Sequence, residues 1–117
     1  MEVPNMTLWF LLLFVGVAVV MIALAVPLMR GRVKPNLIYG VRTQRTLSDE
    51  DAWYRSNAYG GRVLFRIGLM QLVAVIALYC IPSLRGDFVA YNLACGAVIL
   101  GGVLLATVRI LRFVQSL

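Results

Sequence analysis

Residues 7–29 read TLWFLLLFVGVAVVMIALAVPLM and contain no charged side chain. An α-helix needs about 20 apolar residues to cross the hydrocarbon core of a bilayer, and this run meets that requirement. Two further apolar runs follow at about 63–81 and 88–108, the first of them with Arg66 near its beginning. We therefore predict an all-α integral membrane protein with three transmembrane helices in a single membrane domain, 1–117. The first run follows Glu2 rather than basic residues and is longer than a signal-peptide core, so we expect it to remain as a membrane helix.

The composition of the whole chain supports this prediction. Of its 117 residues, 62% are hydrophobic and only 14% are charged, and the mean hydropathy is +0.89. A soluble domain of ordinary composition is about half apolar and about a quarter charged. One small core cannot bury so much apolar surface, and the excess is expected to face lipid.

The distribution of basic residues predicts the orientation in the membrane. The net charge is +6, and most Lys and Arg residues lie in the polar loop 30–62 or near the C-terminus, at Arg109 and Arg112. The connection 82–87 holds only Arg85, which Asp87 balances. Basic residues concentrate on the cytoplasmic side of short-loop membrane proteins, so we expect the N-terminus outside and both the loop and the C-terminus inside. Charges that flank apolar runs indicate topology signals, and we expect no nucleic-acid partner.

The loop contains the most informative sequence, KPNLIYGVRTQRTLSDEDAWYRSNAYGG at 34–61. Pro35 and Gly40 favour turns in its first part. Ser48 followed by Asp51 resembles a capping box, which predicts a short helix with Ser48 as its N-cap before the second span.

A set of positions spaced three and four residues apart extends from the loop into the second span. These positions fall on one helical face if the helix is continuous, although Gly60–Gly61 could break it. Gln71 is the only strongly polar side chain well inside the span, and an intramembrane amide usually faces protein. Two interpretations remain open: a helix-packing stripe, or a polar groove lined by Arg42, Glu50 and Asn57. The whole set is Glu50, Trp53, Asn57, Gly61, Leu64, Gly68, Gln71 and Val75.

The third span carries a stripe of small residues, which let membrane helices approach closely. The stripe could pack within the chain or against a second copy, and a homodimer is consistent with it. Its members are Ala90, Ala94, Ala97 and Gly101, with Gly102 and Ala106 beside them.

The loop resembles the SdpI family of bacterial membrane proteins, named for an immunity protein against a secreted killing peptide. The matching positions are Asn36, Gly40-Val41-Arg42-Thr43, Thr46-Leu47-Ser48, Glu50-Asp51, Trp53 and Gly60-Gly61. Many relatives have Pro in the place of Gln44 and His in the place of Asn57. Without that His, a proton-linked role based on it is not expected here.

The resemblance implies a multi-pass protein of the bacterial inner membrane that protects against, or signals in response to, a membrane-active peptide toxin. It places the binding surface in the 36–61 loop and implies the following site residues: Asn36, Gly40, Arg42, Thr43, Ser48, Glu50, Trp53, Asn57, Gly60 and Gly61. Arg42 could bind a phosphate or carboxylate, or form an ion pair with Glu50. The alternative is an accessory or oligomeric subunit that uses the stripe of the third helix. The residues show no nucleophile–base pair and no metal-ligand spacing, so we expect no enzyme, cofactor or metal.

Overall fold

The computed structural model describes residues 6–117, and Glu2 lies outside this range. The described part contains three long helices and two short ones, and no strands. They are α1 (Met6–Met29), α2 (Gln44–Ser48), α3 (Glu50–Tyr79), α4 (Pro82–Arg85) and α5 (Phe88–Gln115). Helices α1, α3 and α5 are long and apolar enough to cross a membrane; α1 and α5 contain the first and third predicted spans, and α3 covers the second up to Tyr79. The predicted fold class is confirmed.

The central helix of the bundle is α3. It packs against α1 on one side and α5 on the other, whereas α1 and α5 contact each other only slightly. The molecule is consequently a narrow rod of 59 × 22 × 19 Å. Helices α1 and α5 meet through the aromatic pairs Phe10–Phe88 and Phe14–Tyr91 near one end, and toward Met29 a groove opens between them.

Two glycines of α3 bring α1 very close. A Cβ atom at Gly61 would lie 2.6 Å from the Met29 nitrogen and 2.8 Å from the Ala25 carbonyl oxygen, and one at Gly68 would lie 2.7 Å from Ile22 Cγ1. Small residues permit such approach between membrane helices, where packing replaces the hydrophobic effect as the main driving force. The α1–α3 interface therefore depends on Gly61 in particular, since backbone atoms stand opposite it.

Helices α3 and α5 enclose two apolar clusters. The first consists of Val63, Ile67, Ala106, Ile110 and Val114. The second, near the opposite end of the bundle, joins Val75 to Tyr91 and Cys95, and the Tyr91 hydroxyl donates a 2.9 Å hydrogen bond to the Val75 carbonyl. Buried hydroxyls usually find a partner in this way, which fixes the register of the two helices.

The loop contains the predicted short helix before the second span, α2, but this helix does not begin at Ser48. Thr43 caps α2 and forms a reciprocal capping box with Thr46, while Ser48 is the last residue of α2 and donates a hydrogen bond to the Arg45 carbonyl. The N-cap of α3 is Asp49, whose carboxylate accepts the Asp51 N–H at 3.0 Å. The prediction of Ser48 as the N-cap is wrong. The Thr43–Thr46 capping box starts a separate helix, α2, and Ser48 is the last residue of that helix.

The long helix α3 continues without a break through Gly60–Gly61 and joins the loop to the membrane span. Its first turns, the segment 30–49 and the last turns of α5 form one end of the rod, called here the basic end. This end holds the basic residues Arg30, Arg32, Lys34, Arg42, Arg45, Arg55, Arg62, Arg109 and Arg112, and Arg66 lies further along α3.

Candidate functional site

Trp53 and Asn57 attach the loop to α3. The indole N–H of Trp53 donates a 2.8 Å hydrogen bond to the Val33 carbonyl. The Asn57 side chain accepts the Val41 N–H at 2.6 Å and donates to the Trp53 carbonyl at 2.9 Å. Both side chains are almost completely buried. Buried polar groups are stable only when they are hydrogen-bonded, so these residues hold the loop at two points, Val33 and Val41.

Gly40 is the loop residue that lies directly against Trp53 and Asn57. Its φ angle is +116°, and a Cβ atom there would lie 2.6 Å from Asn57 Oδ1 and 3.1 Å from the Trp53 ring. Positive φ favours glycine, and the close neighbours would exclude a side chain even without that constraint. Gly60 of α3 leaves room for the loop residue Val41, since a Cβ atom at Gly60 would lie 2.8 Å from Val41 Cγ2.

Asn36 shapes the preceding turn. Its side-chain oxygen accepts the N–H groups of Ile38 at 2.9 Å and Tyr39 at 2.7 Å, and its amide donates to the Lys34 carbonyl at 2.8 Å. This is the local side-chain to backbone bonding for which Asn is favoured in turns. The turn directs Tyr39 back along α1.

Tyr39 places the loop against the membrane span. Its hydroxyl donates a hydrogen bond to the Leu24 carbonyl, five residues before the end of α1. At 1.5 Å per residue, that carbonyl lies about 7 Å inside the helix. Burial raises the pKa of Tyr39, so its hydroxyl keeps its proton and remains a donor.

Thr43 and Thr46 complete the loop. Besides their capping box, the Thr46 hydroxyl donates to the Val41 carbonyl at 2.9 Å and accepts the Thr43 N–H at 2.8 Å. Thr46 is 1% exposed. The N–H of Val41 is thus bonded to the Asn57 side chain and its carbonyl to the Thr46 hydroxyl. These two bonds make the loop an ordered structure.

The outer side of the loop presents three exposed side chains. Leu37 is 76% and Ile38 87% exposed, and Arg42 is exposed beside them and donates a hydrogen bond to the Leu37 carbonyl. We refer to Leu37, Ile38 and Arg42 as the loop surface. Isolated exposed apolar residues are common, but an adjacent aliphatic pair next to an arginine offers both apolar contact and charge.

Of the two interpretations left open by the sequence, the polar groove lined by Arg42, Glu50 and Asn57 does not form. Asn57 is buried and hydrogen-bonded to Val41 and Trp53, and Glu50 is exposed at the start of α3. The ion pair of Arg42 with Glu50 is also absent from the described residues. The salt bridges found there are Arg45–Asp49 at 3.4 Å and Arg55–Asp51 at 3.6 Å, both exposed. The helical stripe from Trp53 to Val75 serves packing instead.

Comparison with known proteins identifies the motif. A model of the SdpI/YfhL protein family matches residues 32–112, from the loop through most of α5. The chain belongs to the SdpI/YfhL family. The comparisons with curated proteins and with solved structures give no match.

The family motif thus divides into supporting and exposed residues. Trp53, Asn57, Gly40 and Gly60 lie beneath the loop, and Gly61 lies at the α1 interface. Exposed members of the motif are Arg42, Leu47, Ser48, Glu50 and Asp51. Sequence analysis missed Leu37, Ile38 and Tyr39, although two aliphatic residues inside a basic loop are a readable signal of an exposed apolar surface.

Gln71 lies apart from the loop, between α3 and α5. Its amide donates to the Ile99 carbonyl at 3.1 Å, and a Cβ atom on Gly102 would collide with that amide. The side chain is 2% exposed, and its oxygen is buried without a partner. Gln71 therefore ties the two helices together. Elsewhere in residues 6–117, no group of three or more His, Cys, Asp or Glu residues is placed to hold a metal ion.

Proposed function

We propose that this SdpI/YfhL-family protein is not an enzyme and that it protects a bacterial cell from, or signals in response to, a membrane-active peptide toxin. The binding surface lies in the 36–61 motif. One observation carries the proposal: the motif's buried residues hold a loop whose outer side presents Leu37, Ile38 and Arg42. A buttressed loop with exposed apolar and cationic groups is the usual form of a recognition surface on a rigid scaffold.

The chemistry of the loop surface suits an amphipathic peptide. Leu37 and Ile38 offer aliphatic contact, and a guanidinium has five N–H donors, of which the Leu37 carbonyl takes one from Arg42. The remaining donors suit a carboxylate, such as an acidic side chain or a peptide C-terminus. Tyr39 holds the loop beside α1, where a peptide dissolved in the bilayer can reach it.

We further propose a bacterial cytoplasmic-membrane location with the basic end and the C-terminus in the cytoplasm and the N-terminus outside. The concentration of basic residues at one end supports this orientation, since such residues are retained on the cytoplasmic side.

The test is protection in cells. A bacterium sensitive to an SdpI-type killing peptide would express the chain, Arg42→Ala or Arg55→Ala at matched membrane abundance, and survivors would be counted. We expect protection by the wild type and by Arg55→Ala, whose exposed side chain pairs with Asp51 away from the loop surface. Arg42→Ala should lose protection. Equal protection by both variants would remove Arg42 from the site, and no protection by the wild type would count against immunity to that peptide.

A second candidate is an accessory or oligomeric subunit that docks through α5. The small-residue stripe splits in the structure: Gly102 and Ala106 face α3, whereas Ala97 and Gly101 are exposed and a Cβ atom at Gly101 would meet nothing within 4 Å. This open side supports the alternative. Loss of function from Gly101→Leu, with Arg42→Ala tolerated, would favour it over the loop surface.

A further inference from the structure

A groove of about 470 Å³ runs along the bundle between α1 and α5. One wall is a single face of α1, from Val17 to Leu28, and Ile110 of α5 stands opposite. Leu64 of α3 also lines it, and the loop residues Tyr39, Gly40 and Val41 close one end. The lining is almost wholly aliphatic. In this half of the bundle α1 and α5 each pack on α3 and leave space between them, whereas near the other end Phe10 of α1 contacts Phe88 of α5.

The length and depth of the groove match one leaflet of a bilayer. Val17 and Leu28 are eleven residues apart, which is about 16 Å along a helix. The hydrocarbon core is about 30 Å thick, so the groove covers roughly half of it. Since Leu28 is next to the end of α1, this half is the leaflet at the basic end. An occupant must be apolar over the length of one leaflet.

A positive charge lies next to the closed end of the groove, on a residue outside its lining. Arg42 directly follows the lining residues Gly40 and Val41, and its guanidinium lies over the loop, where it bonds the Leu37 carbonyl. Arg42 is exposed and lies outside both salt bridges of the described residues. Arginine binds phosphate through two parallel N–H donors, a geometry that a hydrated lysine does not reproduce. The occupant should therefore carry an anionic phosphate at the end of its apolar part.

We propose that this groove is a binding site for an anionic phospholipid of the leaflet at the basic end, with an acyl chain between α1 and α5 and the phosphate on Arg42. The lipid would fill the space that the weak α1–α5 contact leaves, and it would join the two outer helices to the loop. A single acyl chain matches the one-leaflet length. A helix of a second copy is a poorer match, because it would continue past the groove into the other leaflet.

This inference goes beyond the proposed function and does not depend on it, because it concerns lipid retention without any toxin. The variants also separate the two proposals. Val20 lines the groove but is not part of the loop surface, so filling its position tests the lipid site alone.

The experiment uses the full chain in vesicles of phosphatidylethanolamine and phosphatidylglycerol, with a photoactivatable group in the acyl chain of one lipid or the other. After illumination, the labelled peptides are mapped by mass spectrometry. We expect phosphatidylglycerol to label the Val17–Leu28 face of α1 and the 39–41 segment more strongly than phosphatidylethanolamine does. Val20→Phe should remove this labelling, whereas Val19→Phe should not, since Val19 is similarly exposed but outside the groove.

Variants of Arg42 test whether this residue binds the lipid phosphate. Arg42→Gln should reduce the phosphatidylglycerol preference about tenfold, the effect of losing one charge-assisted hydrogen bond, and Arg55→Gln should leave it unchanged. If Val20→Phe does not fold, Leu24→Phe fills the same groove from the next turn. Equal labelling by the two lipids, equal labelling of the Val19 and Val20 variants, or cross-links from the groove to a second copy or to an added peptide would overturn the proposal.

Discussion

Gly40 and Gly31 both have a positive φ, +116° and +68°, but their surroundings differ. A Cβ atom at Gly31 would meet nothing within 4 Å, whereas one at Gly40 would collide with Asn57. We expect Gly31→Ala to lower the free energy of unfolding by about 1–2 kcal/mol through backbone strain alone. Gly40→Ala should cost about 1–3 kcal/mol more, because the loop must also move. Unfolding in detergent measures both, and equal losses would contradict the tight contact with Asn57.

The hydrogen bonding of Asn57 explains why either Asn or His would suit this position. The Asn57 side chain accepts one hydrogen bond and donates one. A neutral imidazole also has one acceptor and one donor, whereas leucine has neither. We expect Asn57→Leu to lower the free energy of unfolding by about 1–3 kcal/mol, the cost of leaving buried groups unpaired. Asn57→His should retain more stability at neutral pH.

The histidine variant should also become sensitive to acid. Protonation turns the acceptor nitrogen into a donor that cannot receive the Val41 N–H, so the folded state lowers the pKa of this His below its unfolded value of about 6.5. The stabilisation is then present above the unfolded pKa and is lost as the pH falls through the folded one. Thermal unfolding between about pH 8 and about pH 5 should show this loss in Asn57→His but not in the wild type. A pH-independent difference would show that the His makes no such bond.

The sequence could predict which residues of α3 are buried, because they recur with the period of a helix. Trp53, Gly68 and Gln71 were expected on one face and are all buried. The partner of Arg42 was not predictable, since a guanidinium reaches many groups and the loop's turn brings the Leu37 carbonyl closer than any acid. Loop conformation depends on bonds between distant residues, such as Trp53 with Val33, and a periodic pattern carries no information about them.

At the scale of the helices, the start of α3 provides a direct test. Asp49 caps it, while Ser48 bonds only to the Arg45 carbonyl at the end of α2. We expect Asp49→Ala to lower the free energy of unfolding by about 1 kcal/mol, a usual value for a lost N-cap. Ser48→Ala should change it by less than about 0.5 kcal/mol, as exposed substitutions usually do. Chemical unfolding of both variants measures the difference, and the reverse order would restore Ser48 as the cap.

The α1–α3 contact should respond strongly to a single methyl group. A Cβ atom at Gly61 would face the backbone of α1 at 2.6 Å, and a backbone cannot move aside without shifting the helix. We expect Gly61→Ala to lower the free energy of unfolding by about 1–3 kcal/mol. Gly16→Ala in α1, where nothing lies within 4 Å, should be neutral or slightly stabilising through helix propensity. If Gly61→Ala is as well tolerated as Gly16→Ala, the two helices do not pack as described.

The element boundaries separate what sequence can and cannot predict. Hydropathy predicted all three spans, because about 20 apolar residues have few other stable arrangements in a chain of this length. It did not predict α2, a five-residue helix that depends on the Thr43–Thr46 capping box. Neither could it decide whether α3 continues through Gly60–Gly61. Glycine usually weakens a helix, but here it is required by Val41 on one side and Met29 on the other.

For the whole molecule, the orientation proposal can be tested with introduced thiols. Cys80 is exposed near Ser83, so it is first replaced by alanine, while Cys95 is buried. In that background, Ser83→Cys should react with a membrane-impermeant thiol reagent added to intact cells. Ser48→Cys, at the basic end, should react only after the cells are opened. Labelling in the opposite order would place the basic end outside and contradict the proposed location.

The unbroken course of α3 gives the molecule a lever. The 30 residues from Glu50 to Tyr79 span about 45 Å, and a hydrocarbon core of about 30 Å leaves roughly the first 15 Å of α3 outside it. Transmembrane helices tilt to match the thickness of the surrounding bilayer. A change in tilt of about 10° would therefore swing the far end of α3 sideways by about 3 Å, and the loop bonded to Trp53 and Asn57 would travel with it. Thinning of the bilayer would thus be transmitted mechanically to the motif at the membrane edge.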